Sequence, residues 1–220
     1  NLGIILKDLG NLREAEKFTR KAIEINPNLG IAFYNLGGLL RGIGKLQEAE
    51  SAARKAIKIQ PKDADAYLTR GRTLRELCND INEAIKDANY AIDLVKNPIN
   101  ENQKKNLAEA YFSRALAIET IADKNWKKMN NSATIFETNM YRDKALNGFR
   151  EAISDYSKSL SVNRKYVDGY YMRGRAYEKI FRKDIACYDY RTGWALGDQE
   201  MRGFSLRECG YDSPAFFTDI

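Results

Sequence analysis

The sequence predicts an all-α protein built as an array of helix-turn-helix units, and three observations carry that prediction. First, the chain repeats itself at an offset of 34 residues. Asn1-Leu2-Gly3 recurs as Asn35-Leu36-Gly37, and Leu9-Gly10-Asn11-Leu12-Arg13-Glu14-Ala15 recurs as Ile43-Gly44-Lys45-Leu46-Gln47-Glu48-Ala49. Arg20-Lys21-Ala22-Ile23-Glu24-Ile25 recurs as Arg54-Lys55-Ala56-Ile57-Lys58-Ile59. A fixed period of this size marks a repeat array. Second, the chain has only 4 prolines, and Pro27 and Pro61 share the same 34-residue spacing. Third, 30% charged and 44% apolar residues over 220 positions suit amphipathic helices.

Composition also excludes several function classes. The absence of histidine removes the commonest general base, the commonest metal ligand and the usual partner of a Ser or Cys nucleophile. No Gly-rich phosphate loop or metal-ligand cluster is visible, so no catalysis, cofactor or metal is expected within this chain. Cys78, Cys187 and Cys209 are odd in number and widely spaced. They fit neither a disulfide framework nor a zinc pair, which points to a reducing, cytoplasmic compartment. No apolar run approaches the roughly 20 residues of a membrane span, and no signal peptide is visible, so no membrane insertion is expected. The chain starts mid-pattern without an initiator Met, as a fragment or processed chain would.

Taken in order, residues 1–29 are a partial first unit and 30–63 a full second one. Unit two supplies Phe33, Leu36, Gly37, Ala49, Ala56 and Pro61. Unit three, 64–100, supplies Tyr67, Gly71, Ala84 and Ala91, with one residue inserted around Cys78-Asn79-Asp80. Unit four, 106–166, supplies Tyr111, Ala115, Ala152 and Ser159 around an insertion at about 124–148. Unit five, 167–197, supplies Tyr170, Gly174, Ala186 and Gly193. Gly10 and Gly44 stop the first helix of their units through the left-handed cap that Gly tolerates. Asn26-Pro27 and Gln60-Pro61 stop the second, because a residue before Pro avoids the helical region. These residues and the period resemble the tetratricopeptide repeat (TPR) family. The resemblance implies a right-handed superhelix over residues 1–197 whose first helices line a concave groove.

The insertion is itself helical. Phe136, Met140, Tyr141, Ala145, Phe149, Ile153, Tyr156 and Leu160 keep three- to four-residue steps, so an elongated helical hairpin is expected, with Ser132 or Thr134 capping its second helix. A second contact surface is expected on it, in Trp126, Lys127, Lys128 and Phe136. Residues 198–220 read as a C-terminal capping helix, with Met201, Phe204 and Leu206 inward and Gly210 ending it, followed by an apolar tail.

Two repeat subtypes are present. Leu2 and Leu36 are followed at the same repeat position by Arg70, Arg114 and Arg173. In step, Phe18 and Ala52 give way to Asp87, Asp155 and Asp189. The arginine appears only with the aspartate, which predicts a partly buried, bidentate pair joining the two helices of each later unit.

The family's groove positions, carried over residue by residue, give Asn1, Asn35, Thr69, Ser113 and Met172 in one column. An Asn side chain can both donate to and accept from a peptide backbone. Tyr34, Leu68, Phe112 and Tyr171 form an apolar and aromatic stripe, which would serve equally as packing against the adjacent helix. Lys7, Arg41 and Arg75, joined by Arg72 and Arg175, form a cation column, with Glu119 and Glu178 at its far end. Such a column favours a carboxylate-bearing peptide. The clamp by which related domains hold chaperone tails is absent, since Asp65 and Thr69 stand where its Lys and Arg should be.

The expected function is therefore a non-catalytic protein–protein interaction scaffold holding a peptide segment of a partner, of acidic character, in the groove. The alternative is the substrate-recruiting arm of a larger glycosyl- or sulfotransferase whose catalytic domain lies outside this chain. RNA binding is a weak third: a net +6 over 220 residues is modest, and no Lys/Arg cluster tracks phosphates.

Overall fold

The computed structural model describes residues 11–78 and 80–210, which contain ten α-helices and no strand. The chain divides into two compact units between Asn97 and Pro98.

The first unit contains α1 (Leu12–Ile25), α2 (Gly30–Gly42), α3 (Leu46–Ile59), α4 (Ala64–Leu77) and α5 (Ile81–Val95). Each starts and stops where local chemistry requires. Asn11 caps α1, its Oδ1 accepting from the Glu14 N–H, and Asp80 caps α5 in the same way through the Glu83 N–H. The helices α1 and α3 end on the residue before Asn26-Pro27 and Gln60-Pro61. Gly44, at φ 86°, turns the chain out of α2 in the left-handed conformation that Gly adopts without strain. The residue inserted in unit three lets Cys78, at φ 55°, play that part after α4.

Helices α2 and α3 pair through small residues. Leu36, Leu40, Ala49 and Ala52 form a buried cluster against Ile23. Gly37 allows the approach: a Cβ there would lie 3.1 Å from the Ala49 carbonyl oxygen, a backbone atom that cannot swing aside.

The second unit contains α6 (Glu101–Asn130), α7 (Ile135–Val162), α8 (Val167–Lys179), α9 (Lys183–Ala195) and α10 (Gln199–Cys209). Here α6 and α7 make the elongated hairpin. Of the two expected caps, Thr134 starts α7, its Oγ1 accepting the Glu137 N–H at 3.1 Å. The hairpin core is Ala122, Ala145 and Phe149, with Trp126 and Ile180 against it. A second core joins Leu160, Tyr170, Ala186, Tyr190 and Met201.

Helix α10 begins at Asp198, whose carboxylate accepts the Met201 N–H at 2.9 Å, and Gly210 ends it. Met201 is 1% exposed and Phe204 half-buried, but Leu206 is 39% exposed and points outward. The inward face runs instead through Met201 and Ser205, which are four residues apart and so share a face. The apolar tail after Gly210 lies outside the described residues.

One expectation is overturned. Cys187 of α9 and Cys209 of α10 are joined in a disulfide, leaving Cys78 as the exposed free thiol. Twenty-two residues separate the pair in sequence, and the α9–α10 hairpin brings them together. Disulfides persist in oxidising compartments, so the cysteines no longer argue for a reducing one.

Candidate functional site

The arginine–aspartate pairs form as the two repeat subtypes require. Arg70 of α4 donates through Nε to Asp87 Oδ2 of α5 at 2.8 Å, and its Nη2 completes the fork on Oδ1. Arg114 of α6 holds Asp155 of α7 at 2.6 and 2.8 Å. Arg173 of α8 holds Asp189 of α9 at 2.9 and 2.7 Å, and also donates to Ser157 Oγ at 3.1 Å. The three carboxylates are almost wholly buried. Burial pushes the Asp87 and Asp189 carboxyls up, against the downward pull of their guanidinium partners. These arginines are bound within the fold and are not available to a ligand.

In the first unit, two of the expected groove cations, one on α2 and one on α4, meet at a single carboxylate. Arg41, near the end of α2, donates through Nη1 to Glu76 Oε1 of α4 at 2.6 Å, and Arg75 Nη2 lies 3.7 Å from the same oxygen. Two guanidinium groups thus share one carboxylate, with Arg72 one turn before on α4. Among the described residues, the buried Arg41 Nε–H and Arg75 Nε–H meet no acceptor. The cations sit near helix C-termini, where the macrodipole favours positive charge.

Asn35 and Thr69, which precede Arg41 and Arg75 on the same two helices, are half-buried. Near the other end of these helices the Tyr34 phenol is pushed up to about 12 by burial and by the negative charges of Asp65 and Asp63. It stays neutral and able to donate. The wall is therefore polarised, acidic near the start of α4 and basic near its end. Leu68 does not face it: at 2% exposure it is core, because its stripe position turns toward the packed neighbours of α4. Asn1 and Lys7 lie outside the described residues.

In the second unit, Phe112 of α6 packs at 5.6 Å from the Tyr156 ring and 4.8 Å from the Tyr166 ring. Tyr171 of α8 lies 5.4 Å from Phe204 of α10, and the exposed Arg175 guanidinium rests 5.8 Å over the Tyr171 ring. Glu119, expected as a groove charge, is instead 5% exposed. Tyr156 donates its hydroxyl to Glu119 Oε2 at 2.5 Å. Burial raises the Glu119 carboxyl, opposed by that hydrogen bond.

The four residues proposed for the hairpin surface divide. Trp126 turns inward, 6.2 Å from Phe149 and 6.4 Å from Phe181. Lys127 and Lys128 are not core, and Phe136 is 77% exposed. Sequence reasoning missed Ile135 and Phe181, both also largely exposed; Phe181 sits at φ 63°, a turn position that helical periodicity does not reveal. Among the described residues, no three His, Cys, Asp or Glu side chains are grouped to hold a metal, and no helix is long and apolar enough to cross a membrane.

Comparison with known proteins bears on the repeat and the fold. The family model for the tetratricopeptide repeat matches residues 1–29 and 31–63. No curated protein sequence matches the chain. Among solved structures, TTC0263, a thermophilic TPR protein of Thermus thermophilus, is 17% identical with a TM-score of 0.66, over 96% of each chain. PilF of Pseudomonas aeruginosa is 17% identical with a TM-score of 0.68, over 95% of this chain and 80% of its own. YrrB, described as a TPR protein with an unusual peptide-binding site, is 17% identical with a TM-score of 0.55, over 93% of this chain and 88% of its own. At these identities the likeness speaks for the fold.

Proposed function

We propose that this chain, whose residues 1–29 and 31–63 match the tetratricopeptide repeat, is a non-catalytic scaffold holding an extended, acidic segment of a partner protein. Its peptide-binding surface in the first unit is Tyr34, Asn35, Thr69, Arg41, Arg72 and Arg75. Phe112, Tyr171 and Arg175 offer aromatic and cationic contacts in the second. The observation that carries this reading is the charge left over on α2 and α4. Arg41 and Arg75 converge on the single carboxylate of Glu76, and each keeps a buried Nε–H without an acceptor among the described residues. The two side chains are 30% and 27% exposed, so a carboxylate from a bound peptide can reach the outer edges of their guanidinium groups and form charge-assisted hydrogen bonds there. Asn35 adds an amide that can both donate to and accept from a peptide backbone without reading its sequence.

The test compares labelled extended peptides that differ only in bearing Asp/Glu or Lys, measured by fluorescence anisotropy. Arg41→Gln with Arg75→Gln should weaken the acidic peptide about tenfold or more, roughly 1.4 kcal/mol, while helicity and melting stay nearly constant. Equal binding of both peptides, or unchanged binding by the double variant, would remove this surface from consideration.

A further inference from the structure

The arginine–aspartate pairs explain a cleft that the groove does not use. In the second unit, Arg173 reaches across a seat between α7, α8 and α9 to hold Asp189 and Ser157, and the space left there is about 290 Å³. The same seat recurs between α1, α2 and α3. There Leu36 stands in place of the arginine and Ala52 in place of the aspartate, so no such pair fills it. The resulting cleft is about 500 Å³. Its floor is Phe33, Leu36, Leu40 and Ala52.

The rim is cationic. Arg20 is matched by Glu16 and Glu48, at 2.8 and 2.9 Å. Among the described residues, Lys55 and Lys58 stand in no ion pair, and Lys55 Nζ lies 5.8 Å over the Phe33 ring at the edge of the floor. An apolar floor under two unmatched ammonium groups has a definite complement: one large apolar side chain with carboxylates beside it.

We propose that this cleft is a second docking seat, separate from the α2–α4 arginine wall, and that it takes a Leu- or Phe-sized side chain of a partner segment flanked by Asp or Glu. The seat is wider because the first-type repeat lacks the internal arginine that narrows the corresponding space between α7, α8 and α9. Its specificity comes from both halves at once: the floor supplies burial, and the lysines select against cationic flanks.

The experiment uses the full chain and a labelled ten-residue peptide with a central Leu-Phe pair flanked by Asp on both sides, beside its Lys-flanked counterpart. The Asp-flanked peptide should bind about tenfold or more tightly than the other. Leu36→Arg with Ala52→Asp rebuilds the internal pair, plugs the seat and should cost about tenfold or more in affinity. If that variant loses helicity, Lys55→Glu with Lys58→Glu, on the exposed rim, should give the same loss. The comparison is repeated in an Arg41→Gln/Arg75→Gln background, which removes the arginine wall as a competing acidic site; there the Asp-flanked peptide should still bind, and Lys55→Glu with Lys58→Glu should still cost about tenfold, which keeps the two binding surfaces distinguishable. Full affinity in the folded plugged or rim variant, no binding left in the Arg41/Arg75 background, or indifference to flanking charge overturns the proposal.

Discussion

At the scale of single residues, burial decides which charges can act. Arg70, Arg114 and Arg173 look in the sequence like three more cations for a ligand, yet each is committed to an aspartate of the following helix. Such pairs fix the register of two helices more clearly than they add net stability, since desolvating both charges offsets much of their attraction. Glu119 shows the opposite case, a carboxyl buried without a cation hydrogen-bonded to it. Tyr156 donates to it, while Asp123, Arg175 and Lys179 act on it by charge alone. Its folded value is raised above the ordinary 4.5, so its contribution to stability is full below that value and is lost as pH rises through the folded one. Glu119→Gln keeps an oxygen to accept from Tyr156 and removes the ionisation. The variant should match the parent at acidic pH and exceed it at neutral pH. Guanidinium unfolding at both pH values checks this; a variant less stable at neutral pH would mean that the ionised carboxylate is favoured where it lies.

At the scale of elements, the capping helix is where sequence reading and structure part. The start of α10 at Asp198 and its end at Gly210 follow from ordinary capping chemistry and are legible in the sequence. The disulfide is not, because no spacing rule links two cysteines 22 residues apart; only the sharp α9–α10 reversal, with Gly197 at φ 106°, brings them together. The bond ties α10 to α9 beside the Tyr190–Met201 core. A loop of this length constrains the unfolded chain by about 3 kcal/mol in the chain-entropy account. Reduction, or Cys187→Ser with Cys209→Ser, should therefore lower the unfolding midpoint by an amount corresponding to a few kcal/mol and loosen Phe204 and Met201 first. Denaturant titration with and without a dithiol reductant measures it. Coincident curves for a chain that mass measurement shows to be oxidised would assign the cap's stability to Met201 and Phe204 alone.

At the scale of the whole molecule, the all-α repeat architecture was the most legible property, because a 34-residue period constrains every unit at once. The paired arginines were legible for the same reason, since two positions changed together within one chain. The surface was less so. Repeat position says which side of a helix a residue takes, but not what packs there, so Leu68 and Glu119 went to the interior and Arg41 met Glu76. The net charge of +6 is accordingly unevenly available: it is silent at the internal pairs and in surplus where Arg41 and Arg75 share one glutamate. That distribution predicts how an acidic peptide should associate. Exposed and half-exposed cations steer encounter through a field that salt screens, with a Debye length of about 30 Å at 0.01 M and about 8 Å at 0.15 M ionic strength. Stopped-flow association of the acidic peptide should thus slow severalfold across that range while dissociation changes little, because the final contacts are short and partly desolvated. Association that ignores salt would place the binding energy in apolar contacts, and the arginine wall would then be a structural feature of α2 and α4.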